Sequence, residues 1–181
     1  SPFSSVLRLE LEYDQLSQRL NAWARHANRH VRDHRLQASI EFQRAWRMET
    51  FRLAARPQGG RQANVSLISI PLGELPELPA GTDFGHIDQL VLVNLRLPAL
   101  PEDFLSFFPN VQVLNLAYND LHALPAGLEN LGQLRELNLA GNQIRLDEDQ
   151  AAVLAGLGEL RSLELSDNPL GAVTLQLGAL H

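Results

Sequence analysis

The chain has 181 residues, of which 45% are hydrophobic, and carries a formal net charge of -6. This composition predicts a folded protein rather than a disordered tail. The absence of Cys excludes disulfides, Cys-based zinc sites and thiolate nucleophiles, and no apolar run approaches the roughly 20 residues of a membrane-spanning helix.

The charge is distributed unevenly along the chain. Residues 1–56 hold ten Arg against six acidic residues, whereas residues 57–181 hold five Arg against fifteen. Because phosphate binding needs a positive surface, the acidic second part argues against nucleic acid as a partner. All fifteen basic residues are Arg. Codon usage in a GC-rich genome explains this, and a chain without a side-chain amine for ubiquitin would also suit work beside ubiquitin machinery.

The N-terminal segment, residues 1–56, is predicted to be a strand followed by a helical hairpin. The strand is predicted because apolar residues alternate with polar ones at Leu7, Leu9, Leu11 and Tyr13. A first helix, capped by Asp14, would bury Leu16, Leu20, Trp23 and Ala27, and a second over 37–54 would bury Ala38, Phe42, Ala45 and Trp46. The run Pro57-Gln58-Gly59-Gly60 marks the boundary with the rest of the chain. We expect the hairpin to cover the first turn of that second part.

Three His residues in this segment allow a metal site. His26, His30 and His34 are spaced by four residues and could share a helical face. However, surrounding Arg residues create a positive field that disfavours a cation, and no HExxH arrangement is present. We therefore favour a solvated basic stretch, and keep a metal-dependent activity as the enzyme alternative.

Residues 57–181 contain a repeat. The pattern LxxLxLxxNxL fits five times, with units starting near 65, 87, 111, 134 and 160. The spacings between these starts, 22, 24, 23 and 26 residues, fit a leucine-rich repeat. The Asn position holds Asn119, Asn142 and Asn168 in the last three units, but Gly73 and Leu95 in the first two. The sequence therefore predicts an α/β leucine-rich-repeat solenoid preceded by an α-helical hairpin.

The physical chemistry of the repeat explains its pattern. The LxL core of each unit forms a short strand with two inward side chains, and strands of neighbouring turns pair in parallel. The Asn amide has donors and an acceptor for backbone groups where the chain bends away. We expect Asn119, Asn142 and Asn168 to stack as a ladder and the first two turns to be less regular. Phe104, Phe107 and Phe108 should fill the convex side, and a short helix should follow Asp147.

Side chains that flank the inward leucines should form a concave binding face. Candidate partner-binding residues are Gln89, Val91, Val113, Asn115, Tyr118, Glu136, Asn138, Glu164 and Asp167. Tyr118 is the best single anchor, and the acidic residues towards the end would suit a basic partner. No catalytic motif is present, so we expect no enzyme activity in this chain and no cofactor or metal.

The sequence resembles the repeat region of bacterial effector proteins that carry a C-terminal novel E3 ligase (NEL) domain, in the long versions of pseudomonads. The resemblance is carried by Ala45-Trp46-Arg47, Leu100-Pro101 with Phe104 to Pro109, the stretch 114–134, and Asp167-Asn168-Pro169-Leu170-Gly171. It implies a protein secreted by a bacterium, soluble and delivered to the host cytoplasm, whose repeats select the substrate and restrain the ligase.

The resemblance leaves two function hypotheses open. The first is the substrate-recognition region of a secreted E3 ubiquitin ligase, whose catalytic Cys would lie in another domain. The second is an adaptor or adhesion module of a bacterial protein unrelated to ubiquitin. The next strand would fall near 182–186 and the chain lacks an initial Met, so we expect a longer parent protein. Leu7–Tyr13 would then belong to an earlier repeat turn.

Overall fold

The structure is a computed structural model that describes residues 2–50 and 63–171. Within these ranges the strands are β1 (Asn64–Ile68), β2 (Gln89–Val93), β3 (Val113–Asn115), β4 (Glu136–Asn138) and β5 (Ser162–Glu164). The α-helices of the same ranges are α1 (Pro2–Arg25), α2 (Arg29–Thr50) and α3 (Glu148–Ala155). The strands form one sheet in the order β1-β2-β3-β4-β5, and every neighbouring pair is parallel.

The inward leucines of the repeat form the core of the solenoid. Leu90 of β2 pairs in register with Val65 of β1 and with Leu114 of β3, and all three side chains are buried. This column continues into Leu137 of β4, which is also buried. Each added turn therefore extends one continuous apolar interior, as a leucine-rich-repeat solenoid requires. The predicted fold class is confirmed.

The predicted frame of the first repeat unit is wrong by three residues. Val65 and Leu67, rather than Ile68 and Ile70, pair with the inward leucines of β2. Ile68 instead points outward and is 55% exposed, and the buried Ile70 takes the place that Asn occupies in later turns. The apolar run from Val65 to Ile70 admits either frame, because neither Ile70 nor Gly73, the two candidates for the Asn position, is an Asn.

The convex side is filled as expected. Phe104, Phe107 and Phe108 are buried, and Phe108 stacks on Phe84 with ring centroids 4.8 Å apart. The predicted short helix is α3, and Asp147 caps it because its carboxylate accepts a hydrogen bond from the amide of Gln150 at 2.8 Å.

The predicted strand at Leu7–Tyr13 is wrong, because these residues lie inside α1. In a helix, residues four apart share a face, so Leu9 and Tyr13 form one stripe and Leu7 and Leu11 another. The first stripe packs against the core and the second is exposed. Alternation over seven residues is thus compatible with a helix, and Asp14 is an interior residue of it rather than its cap. The interpretation of this segment as an earlier repeat turn fails for the same reason.

The two helices form the expected hairpin, and α2 covers the edge of β1. Leu16, Leu20, Ala38, Phe42, Ala45 and Trp46 are buried in the same core as the repeats. The carboxylate of Glu41 accepts a hydrogen bond from the Ser66 amide at 2.8 Å, and Arg44 donates to the Asn64 carbonyl at 3.0 Å. These bonds occupy backbone groups that would otherwise face water at the edge of the sheet. Helix α2 begins at Arg29, earlier than predicted, and the predicted boundary at 57–60 lies outside the described residues.

Candidate protein-binding surface

The outward side chains of β1 to β5 make up one surface, which we call the sheet face. Strand register aligns seven of its predicted members, together with Ser162, in two rows. The first row is Gln89, Val113, Glu136 and Ser162, and the second is Val91, Asn115, Asn138 and Glu164. Glu136, Ser162 and Glu164 are exposed, and the others are half-buried. The structure thus brings seven of the nine predicted binding residues together, and Tyr118 and Asp167 extend the sheet face three residues after β3 and β5.

The sheet face changes character along the solenoid. Its first half presents apolar side chains, namely Ile68, Val91, Val93 and Val113. Its second half presents the exposed carboxylates of Glu136, Glu164 and Asp167. Sequence reasoning missed Ile68 because it placed this residue inside the core.

The Asn residues beneath this surface hold successive turns together. Asn142 donates hydrogen bonds to the carbonyls of Leu116 and Leu139, both at 3.0 Å, and accepts one from the amide of Leu121 at 3.0 Å. Asn119 and Asn168 make the equivalent bonds one turn before and one turn after. Each amide therefore joins two turns, which fixes the register in which the strands above it are presented.

Three polar residues of the sheet face also hold their own loops. The side-chain oxygen of Asn115 accepts a hydrogen bond from the Ala117 amide at 3.1 Å, and Asn138 does the same with Ala140 at 3.0 Å. Glu164 accepts one from the Ser166 amide at 3.0 Å. Hydrogen bonds from the Ser166 side chain and backbone lower the pKa of the Glu164 carboxyl below its ordinary value. Glu164 therefore stays charged at neutral pH while it shapes the bend after β5.

After each strand, the residue at one equivalent position of the repeat adopts a left-handed backbone, as Arg96 and Leu170 do at other positions. The residues at the equivalent position are Ser69, Asn94, Tyr118, Gly141 and Asp167, with φ between 56° and 70°. Their amides connect the turns, for example from Tyr118 to the Ala140 carbonyl at 2.8 Å. Asn, Asp and Gly tolerate this conformation, whereas a bulky side chain rarely adopts it. Tyr118 is therefore the unusual member of this column, and the structure leaves it 58% exposed.

Gly141 explains where the Tyr118 ring lies. A Cβ atom on Gly141 would be 2.3 Å from Cδ1 and 2.6 Å from Cε1 of Tyr118. The ring thus occupies the space that a side chain of the next turn would fill. The sequence contains this signal, because a Gly stands at 141 in the place where the previous turn has Tyr.

The three His residues of the metal alternative do not assemble into one cluster. His26 lies in the turn after α1, whereas His30 and His34 lie on α2. Within residues 2–50 and 63–171, no group of three or more His, Asp or Glu side chains could hold a metal ion. In the same part of the chain, no helix is both long enough and apolar enough to cross a bilayer.

A second concave feature lies between the hairpin and the first two turns. This cavity of about 550 Å³ is lined by Arg19, Trp23, His26 and Arg35 of the hairpin and by Glu74, Glu77, Leu100 and Pro101 of the repeats. Arg35 forms an ion pair with Glu74 at 3.2 Å, and Arg19 donates to the Glu77 carbonyl at 3.2 Å. Because both bonds join a hairpin residue to a repeat residue of the lining, the cavity marks a junction that holds the hairpin to the repeats.

Geometry and sequence together define a leucine-rich-repeat solenoid. Residues 86–144 match the family model for the leucine rich repeat. The leucine-rich repeat domain of the type III effector XopL has a similar structure, with a TM-score of 0.55 and 20% identity. That match covers 94% of this chain and 57% of the other. At this identity the similarity establishes the fold.

The curated relatives match this chain over a small part of their own length. Leucine-rich repeat-containing G-protein coupled receptor 5 of Rattus norvegicus is 31% identical over 100 residues, which are 55% of this chain and 11% of the receptor. Vasorin of Mus musculus is 31% identical over 115 residues, which are 63% of this chain and 17% of vasorin. The chain spans less than a fifth of either relative.

Proposed function

We propose that this chain is a protein-recognition module that binds its partner through the sheet face. The observation that carries the proposal is the arrangement of this face. Apolar side chains of β1 to β3 lie beside polar ones such as Gln89 and Asn115, and exposed carboxylates follow at β4 and β5, on a surface that the Asn residues help to hold in register. Apolar side chains can be desolvated by a partner, and rim carboxylates speed the encounter with a basic surface. The partner we propose is therefore a protein with a basic region.

The rigidity of the surface supports this function. The side chains of Asn115 and Asn138 are held by hydrogen bonds to their own loops. A surface that is ordered before binding loses less conformational entropy when the partner docks.

Site-directed photocrosslinking tests the proposal. A photoreactive amino acid at Ser162, exposed on the sheet face, should capture the partner from a eukaryotic cell extract. The same amino acid at Glu102, exposed on the convex side, is the matched control. On a gel it should not give the crosslinked band that the Ser162 variant gives. Equal capture from both sites would contradict the proposal, and so would no capture from either.

Direct affinity measurement then tests the named residues. With the captured protein purified, Tyr118→Ala combined with Glu164→Arg should weaken binding at least about 30-fold, the effect expected of interface hot spots. Because both side chains are exposed, the melting temperature should change little. Unchanged affinity in the double variant would remove the sheet face as the binding site.

We further propose that the module serves as the substrate-recognition and regulatory region of a secreted bacterial E3 ubiquitin ligase. The resemblance of residues 114–134 and 167–171 to the repeat region of NEL-type effectors supports this role, and the similar fold of the XopL repeat domain is compatible with it. The parent gene tests it: a downstream domain with a Cys that forms a ubiquitin thioester is expected. A parent without such a domain would leave the adaptor or adhesion role.

A further inference from the structure

We propose that Tyr118, Gly141 and Asp167 form a seat for one arginine side chain of the partner. We call these three residues the Tyr118 seat. The inference rests on the proposed function of the sheet face and names the chemical group that this face recognises at its centre.

The Tyr118 ring lies against the next turn of the solenoid. Its Cδ1–Cε1 side lies over the backbone of Gly141, in the space where any other residue would place its Cβ. The ring is therefore laid along the column towards β5 and held there by the neighbouring turn. The remaining 58% exposure leaves a large aromatic surface available to a partner.

Tyr is an unusual residue type for the backbone conformation at position 118. A left-handed backbone disfavours a bulky side chain, and a large amphipathic ring is a common anchor of protein interfaces. The equivalent residues Ser69, Asn94, Gly141 and Asp167 are all small or polar. The presence of a bulky, exposed Tyr on a backbone that disfavours it is a reason to look for a binding role at this position.

The surrounding charge selects the ligand. Asp167 occupies the same column one turn beyond Gly141, and adjacent strands in a sheet lie about 4.8 Å apart. Because the ring already extends over Gly141, it comes within about one strand spacing of the Asp167 backbone. Glu164 lies on β5, the strand next to β4 and its following residue Gly141. An aromatic ring with carboxylates on the next turn of the same surface favours a cation as its ligand.

The same chain pairs Arg with aromatic rings elsewhere. The Arg47 guanidinium carbon lies 4.7 Å from the ring centroid of Tyr13, and that of Arg35 lies 4.9 Å from the ring centroid of Trp23. The Tyr118 ring takes part in neither of these two pairs. We choose arginine over lysine because the planar guanidinium can stack on the ring and donate two hydrogen bonds to a carboxylate at once.

The test is a titration of the whole chain with small probes. Tyrosine labelled with ¹³C at one ring position, Cζ, gives two signals, because the chain has two tyrosines, Tyr13 and Tyr118. Tyr13 is the internal control, since Arg47 already covers it. The capped tripeptide Gly-Arg-Gly should shift the Tyr118 signal with a dissociation constant on the order of millimolar. The isosteric but neutral Gly-citrulline-Gly should bind at least fivefold more weakly, and so should the arginine probe to Asp167→Asn.

The position of the ring needs its own variant. Gly141→Ala should displace the Tyr118 ring, move its signal without any probe, and weaken the arginine probe at least fivefold. Gly73→Ala is the matched control, because Gly73 has a similar φ of 77° but nothing within 4 Å of the added Cβ. Both variants carry the same backbone penalty, and only the first meets the ring. Gly73→Ala should bind the probe as the natural chain does.

The outcomes separate this inference from the proposed function. Equal shifts with the arginine and citrulline probes would overturn the Tyr118 seat, as would probe binding that survives in Gly141→Ala with a displaced ring. If the seat fails while Tyr118→Ala combined with Glu164→Arg still loses the partner, the sheet face remains the binding surface and Tyr118 acts there as an apolar anchor.

Discussion

The first two turns of the solenoid and the last three are held in register by different means. In the later turns, Asn119, Asn142 and Asn168 join the backbones of successive turns with hydrogen bonds. In the first two, Ile70 and Leu95 occupy the same position and are buried as apolar side chains. The second turn still receives hydrogen bonds from Asn119 of the third, whereas at the first turn Glu41 and Arg44 of α2 satisfy the edge of β1. The same fold is thus stabilised from within at one end and by a covering hairpin at the other.

The largest expected effect comes from removing the main apolar contact of the hairpin. Trp46 is fully buried and packs against Tyr13, with ring centroids 5.4 Å apart. Trp46→Ala should lower the free energy of unfolding by about 3–5 kcal/mol, as large-to-small core substitutions do. Urea denaturation measures this loss. Ile40→Ala on the same helix, at a side chain that is 69% exposed, should change it by less than about 0.5 kcal/mol.

Hydrogen exchange shows whether the hairpin protects the first turns in particular. In Trp46→Ala, the Ser66 amide should lose protection because the Glu41 bond that covers it depends on α2. The Leu139 amide, bonded to the Glu164 carbonyl at 2.8 Å, should keep most of its protection. Equal loss at both amides would mean that the hairpin stabilises the two ends of the solenoid alike.

A substitution in the Asn ladder should be costly in the later turns. Asn142→Ala leaves the carbonyls of Leu116 and Leu139 and the amide of Leu121 with one hydrogen bond fewer in a buried place. The expected loss is about 2–4 kcal/mol, since unsatisfied buried groups cost about 1–3 kcal/mol each and part of the cost is relieved by relaxation. The neighbouring exposed Gln143, changed to Ala, is the control for urea denaturation. A loss below about 1 kcal/mol would mean that packing of the buried leucines, rather than the hydrogen bonds of Asn142, holds the turns in register.

The difference between the two ends also explains what the sequence could predict. Where Asn marks the end of a strand, as at Asn119 and Asn142, the frame of the repeat is read directly from the pattern. In β1 and just after it, the apolar residues Val65, Leu67, Ile68 and Ile70 permit two frames, and only the partners in β2 decide between them. The helix at Leu7–Tyr13 was missed because leucines at alternate positions also satisfy a spacing of four residues.

The candidate site was predictable to a similar extent. Strand alternation places the two rows of the sheet face correctly, from Gln89 to Glu164. The loop-holding bonds of Asn115 and Asn138 depend on how the chain bends after the strand. The contact between Tyr118 and Gly141 depends on the packing of one turn on the next. Neither can be read from periodicity, because both are side-chain conformations set by tertiary neighbours.

A smaller effect is expected at the junction between the hairpin and the repeats. Arg35 lies over Trp23, donates to the Trp23 carbonyl at 3.1 Å and pairs with the exposed Glu74. Arg35→Ala should cost about 1 kcal/mol, since ion pairs to exposed partners and cation–π contacts are each worth about that much or less. Arg32→Ala, an exposed residue of the same helix, should cost nothing measurable by urea denaturation. A similar loss in both variants would point to the helix rather than the junction.

The smallest effect concerns the charge of Glu164. Its pKa is lowered in the folded chain by hydrogen bonds from Ser166, so the folded state favours the ionised carboxylate more than the unfolded state does. The resulting stabilisation is present above the unfolded pKa and is lost as the pH falls through the folded pKa. A ¹³C titration of the side-chain carboxyls should place the midpoint of Glu164 below its ordinary value, and Ser166→Ala should raise it. Because Glu164 is exposed, the unfolding free energy should hardly change over the same pH range, so the titration and not the stability decides whether Ser166 holds the carboxylate at the bend after β5.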